Sequence, residues 1–218
     1  MAQVFSESAN TLARLALGGA VVGVTLLGGL GTAFYWSPIT TQVGINKAQP
    51  IPFSHHRHVT GNGIDCRYCH TSVENSKSAG VPPTETCMTC HSQILSDQPM
   101  FAPVHESWKS GNPIEWTKVY DLPDFTYFDH SVHVAKGVGC TTCHGDIGEM
   151  RLTQKANTLF MSWCLECHRA PEKFIRPKEE VFNPDWTPPS DQLAQGKELV
   201  EKYHINVSQL DNCSICHR

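Results

Sequence analysis

The sequence predicts a mostly α-helical and irregular chain with little or no sheet, in which one N-terminal transmembrane helix is followed by a domain of short helices and loops. Three observations lead there. From Leu15 to Trp36 the chain runs 22 residues without a charge (LALGGAVVGVTLLGGLGTAFYW). All ten cysteines fall into five copies of Cys-x-x-Cys-His with none left over. Beyond Trp36 each copy is served by about 36 residues, too few to wrap each in its own core, and 16 glycines and 14 prolines favour loops over regular elements.

Taken in order, the apolar run would extend roughly 33 Å as a helix, enough to cross a bilayer. Tyr35 and Trp36 fall where an interfacial aromatic belt sits. Gly31-Thr32-Ala33 offers small residues of the signal-cleavage type, but the run exceeds a signal h-region, so a retained anchor is expected, with residues 1–36 as the N-terminal segment. Gly19 and Gly23, and Gly28 and Thr32, are four apart, a spacing that suits packing against another subunit's transmembrane helix. Residues 37–52 are polar with three prolines and read as an exposed linker.

The five motifs are Cys66–His70, Cys87–His91, Cys140–His144, Cys164–His168 and Cys213–His217. Two thiols at this spacing (Cys66 and Cys69, Cys87 and Cys90, Cys140 and Cys143, Cys164 and Cys167, Cys213 and Cys216) can each form a thioether to a haem vinyl group. The histidine that follows is placed to bind the iron. Structural zinc or a disulfide framework would not need a histidine after every second cysteine. Five covalently bound haem c groups follow, with His70, His91, His144, His168 and His217 as proximal ligands. Cysteines used this way belong outside the reducing cytosol, so the domain lies across the membrane from the N-terminus. The net charge of -4, without a basic stripe, excludes nucleic acid as a partner.

An internal duplication organises the rest. Phe53-Ser54-His55-His56-Arg57-His58-Val59 precedes Cys66, and Phe128-Asp129-His130-Ser131-Val132-His133-Val134 precedes Cys140. Each copy leads into two haem motifs, giving a dihaem module at 53–127, a second at 128–177, and a linker with a single-haem tail at 178–218. In the tail Ser190 can cap a helix over about 191–203, with Leu193, Val200 and Tyr203 as its apolar face.

A haem with two strong axial ligands passes electrons, whereas one with an open face can bind a small molecule. The His-x-x-His pairs supply four distal ligands, His55, His58, His130 and His133. The fifth is His204, by its position in the repeat, or Met161, with Met150 behind; methionine would raise the potential of its haem. His56 and His105 read as surface or propionate partners, and Trp108, Trp116, Trp163 and Trp186 as packing on porphyrin edges. No catalytic residue is expected.

The N-terminal span together with PFSHHRHVTGNGIDCRYCHTSVENS, ETCMTCHSQI, LPDFTYFDHSVHVAKGVGCTTCHG, FMSWCLECHRAPE and NCSICHR closely resembles the pentahaem cytochrome c subunit of bacterial alternative complex III. Each module is also similar to cytochromes of the c3/c7 type, whose Phe-x-His-x-x-His supplies distal ligands. The resemblance implies a single-pass protein of the bacterial inner membrane, haem domain in the periplasm and N-terminus cytoplasmic. It also implies a role relaying electrons inside a quinol-oxidising complex, with no enzyme activity of its own. Implied partners are an iron–sulfur subunit, quinol-binding membrane subunits, a monohaem cytochrome c and a haem-copper oxidase. The rival readings are a stand-alone membrane-anchored quinol dehydrogenase feeding a periplasmic reductase, and a multihaem reductase with one open haem. The first wants a haem close to the span, yet 29 residues separate Trp36 from Cys66; the second commonly alters a proximal residue, and all five motifs keep histidine.

Overall fold

The computed structural model describes residues 6–217 and divides into two compact units, one ending at Gln42 and one beginning at Val43. The first is built on the Ala9–Trp36 helix, 28 residues long and apolar enough to cross a membrane. It starts earlier than the uncharged run because Ala9, Leu12, Ala13 and Arg14 are good helix formers and carry the first turns. None of its residues is buried. The Thr25 and Thr32 hydroxyls are satisfied inside the helix, donating to the carbonyls of Val21 at 2.9 Å and Gly28 at 2.8 Å. At the far end the Phe34 carbonyl accepts from the Ser37 amide, the Ser37 hydroxyl and the Thr40 hydroxyl, and Pro38 stops the helix. Tyr35 and Trp36 meet edge to face at this boundary, 5.6 Å apart.

The second unit is helical and irregular. Its helices are short: Cys66–Cys69, Thr84–His91, Ala102–Ser110, His130–Ala135, Cys140–His144, Met161–Arg169, Gln192–Lys202 and Cys213–Cys216. Among the described residues β structure is limited to isolated bridges, such as Val43 with Lys155, Asn46 with Gln154 and Thr126 with His217. The first two bridges, with Gln49 exchanging two hydrogen bonds with the Thr117 backbone, strap residues 43–49 to the domain.

Apolar burial is sparse. Among the described residues the buried hydrophobic side chains are Ile51, Val73, Phe101, Val104, Ile175, Val181 and Tyr203. Ile51, Phe101 and Val104 form one cluster, with Met88, Ile114 and Trp116 against it. Trp116 thus packs on aliphatic side chains, and Trp186 lies under the Arg176 guanidinium. So small a core cannot by itself order a domain of this length, whose backbone entropy costs about 1–2 kcal/mol per residue.

The tail helix spans Gln192–Lys202 with Asp191, not Ser190, in the capping position. Of the expected apolar face Tyr203 is buried and Val200 half-buried, whereas Leu193 is exposed, and buried Gly196 sits against the Glu172 backbone so closely that a Cβ would collide. Close helix-to-backbone approach joins that face in holding this element.

Candidate haem-binding sites

Each motif folds as a helical turn that sets its two cysteines and following histidine on one short arc, the Cys66–Cys69 turn being capped by Asp65, whose carboxylate accepts from the Arg67 amide. All ten thiols are unpaired. Among the described residues no three His, Cys, Asp or Glu side chains converge as an all-protein metal site requires.

The histidines carry the clearest signal. Nδ1 of His70 donates to the Gly80 carbonyl at 2.8 Å, that of His91 to Ile94 at 3.0 Å, that of His168 to Leu210 at 2.8 Å and that of His217 to Phe125 at 3.1 Å. The pairs read as distal ligands do the same: His58 to Ser54 at 2.8 Å, His130 to Lys77 at 2.8 Å and His133 to Asp129 at 2.6 Å, while His55 Nδ1 meets the Thr153 hydroxyl at 3.1 Å. An imidazole held this way fixes its tautomer and leaves Nε2 as a lone-pair donor, which is how metal-binding histidines are oriented. His105 is the opposite case, since its Nε2 is spent on the Ser96 carbonyl at 2.9 Å, and His56 pairs through Nδ1 with Glu149 at 2.9 Å.

The rings also face one another in pairs. Ring centres are 6.1 Å apart for His58 and His91, 6.4 Å for His130 and His144, and 6.2 Å for His133 and His168. Two imidazoles on opposite sides of one metal, each bonded at about 2 Å, would have centres about 6 Å apart. His55 lies within electrostatic reach of His70 and His58. Burial pulls His55 and His144 down to about 4 and lowers His133, so these imidazoles are neutral, the form a metal binds. The donor set therefore fits haem c.

The two Phe-x-His-x-x-His segments share one ring geometry. Phe53 stacks on His58 at 4.5 Å and 23° and meets His55 edge-on at 5.0 Å; Phe128 stacks on His133 at 4.6 Å and 26° and meets His130 edge-on at 4.7 Å. Phenylalanine thus wedges both histidines of each pair, although residues 56–60 form a π-helical turn in the first copy and His130–Ala135 an α-helix in the second. Phe101 and Tyr120 brace His91 and His144 at 4.3 and 4.4 Å. None of these bracing roles was read from the sequence, where the recurring Phe at the head of each pair was the available signal.

His217 stands apart. The ring beside it is Phe125 at 5.8 Å. His204 is exposed, at a φ of 52°, and Met161 is 58% exposed at the first position of its helix.

The thiols report which motifs adjoin. Cys66 and Cys140 interact, and that proximity lowers the Cys66 thiol. Burial raises Cys69, with Cys87 adding to it; burial pushes Cys143 up to about 12, with Cys167 and Cys164 adding; and burial raises Cys164, with Cys216 adding.

Residues 126–218 match the family model for cytochrome c7 and related cytochrome c. Over 156 residues, 62% of this chain and 74% of the relative, the sequence is 32% identical to the multihaem cytochrome c subunit of a menaquinone reductase from Nitratidesulfovibrio vulgaris strain Hildenborough.

Proposed function

This chain belongs to the multihaem c-type cytochromes, and on that premise we propose that it is a membrane-anchored pentahaem relay carrying electrons between a quinone pool and a redox partner. It binds haem c; five is the number its motifs can attach. Haem c supplies an iron that changes oxidation state, and with both axial positions taken by protein it exchanges electrons without binding substrate. His58 with His91, His130 with His144 and His133 with His168 would each hold one haem iron between them, a reading supported by ring separations of 6.1–6.4 Å. That spacing carries the proposal. His55 and His70 make the fourth pair, supported by their mutual electrostatic reach. Opposite His217 we place Met161, because its helix also bears Cys164, the neighbour of Cys216.

The thiol adjacencies support the motif order second, first, third, fourth, fifth along the relay. The ends are the second and fifth motifs, whose Cys90 and Cys213 are exposed, and these are where partners dock. The anchor crosses the bacterial inner membrane with its N-terminus in the cytoplasm and the haem domain periplasmic. The companions are an iron–sulfur subunit, quinol-binding membrane subunits and a monohaem cytochrome c, as in alternative complex III.

A second reading reverses the current. The relative is a subunit of a menaquinone reductase, so electrons here would enter the quinone pool and not leave it. Assaying the purified complex for quinol-dependent reduction of its haems, and for quinone reduction from pre-reduced haem, separates the two directions. Low-temperature electron paramagnetic resonance with mass analysis tests the relay itself: five thioether-linked haems, at least four of them bis-imidazole and low-spin, are expected. Fewer than five haems, or a high-spin majority, overturns it.

A further inference from the structure

We propose that the Arg176 guanidinium is a fixed buried cation that raises the reduction potential of the haem attached at Cys140 and Cys143. Arg176 is 3% exposed. Its Nη2 donates to the Thr141 hydroxyl at 2.9 Å and approaches that of Thr142 at 3.5 Å, and these are the two residues between the cysteines of the third motif. Its Nη1 reaches the carbonyls of Asn183 at 3.3 Å and Glu180 at 3.4 Å, and its Cζ lies 4.1 Å from the Trp186 ring centre. The side chain passes so close to Gly139 that any Cβ there would collide with it.

Every one of these partners is neutral. Nε is buried with no hydrogen-bond partner, and no carboxylate lies within ion-pair distance among the described residues. The nearest acid, Glu180, is bound instead to the Asn183 amide at 2.6 Å. A charge buried with no carboxylate of the protein paired to it is costly. What the charge adds is electrostatic. Reduction puts one electron on the iron, and a fixed positive charge close by in a poorly screened interior favours the state that has gained it. Arg176 is thus a positioning residue whose effect is read as a potential.

The inference rests on the reading that the third motif carries haem. It is tested by spectropotentiometric titration of the full complex with wild-type chain, Arg176→Met, Arg176→Lys and Glu180→Gln, alongside haem counting by mass. One haem is expected to titrate at lower potential in Arg176→Met and at higher potential in Glu180→Gln, with Arg176→Lys close to wild type and the other four unmoved. Unchanged potentials in Arg176→Met with five haems retained, or a shift spread over all five, overturns the proposal. Should Arg176→Met fail to assemble, Glu180→Gln decides: no upward shift of a single haem overturns it. A wild-type chain lacking porphyrin on Cys140 and Cys143 would instead overturn the functional reading beneath it.

Discussion

The Lys77 carbonyl accepts two hydrogen bonds from His130, one from the backbone amide at 3.2 Å and one from imidazole Nδ1 at 2.8 Å. A loop of the first module therefore both caps the helix of the second and aims its histidine. The same loop, through Gly80, aims His70. The traffic continues downstream, where Leu210 of the tail orients His168 and Phe125 orients His217. Histidines of one segment thus take their alignment from the backbone of another.

Replacing His130 with alanine removes one ring of a facing pair without touching any thiol. We expect all five covalent haems to persist while one becomes high-spin and binds carbon monoxide. Retention of a fully low-spin spectrum would show that His130 is not an axial ligand.

Phe53 and Phe128 hold their histidine pairs by stacking and by filling the space beneath them. Truncating either to alanine should destabilise the domain by about 1–3 kcal/mol in denaturant unfolding. It should also broaden the low-spin resonances of the two haems served by that pair, which a remote packing residue would leave sharp.

Gly196→Ala sets two effects against each other. Alanine gains about 1 kcal/mol of helix propensity over glycine. Here its methyl would meet the Glu172 backbone, which cannot swing aside like a flexible side chain. Overpacking of this kind costs about 1–3 kcal/mol, so a net loss of stability is expected in thermal melts.

Acid should loosen the chain from its caps. Hydrogen bonds from Arg67 hold the Asp65 carboxyl below its ordinary value, and those from the Thr60 hydroxyl and His56 do the same for Glu149. A carboxylate with a depressed folded pKa stabilises the fold above its unfolded value of about 4, and that contribution disappears as pH falls through the lower folded value. Melting temperature should therefore hold from neutrality to about pH 5 and drop below pH 4, with a shallower drop in the Asp65→Asn, Glu149→Gln double variant.

Much of this molecule was legible in the sequence because its signals are short-range patterns: the five Cys-x-x-Cys-His motifs, the two His-x-x-His pairs and the apolar span. What stayed hidden is long-range. The carbonyls of Gly80, Lys77, Leu210 and Phe125 have no residue signature, since any backbone can accept a hydrogen bond. Arg176 looks like an ordinary linker charge until the turn at Gly139 closes over it. In the tail helix Tyr203 of the expected apolar face is buried and Leu193 is not, and the docking contact at Gly196 is made by the absence of a side chain. The partner of His217 belongs to the same class, because the third, truncated copy lacks the His-x-x-His that marks the other two.

The scarcity of buried aliphatic side chains bears on how the molecule is made. With so little oil of its own, the chain relies on porphyrin to complete its interior, so a copy that misses its cofactors during maturation stays open to proteases.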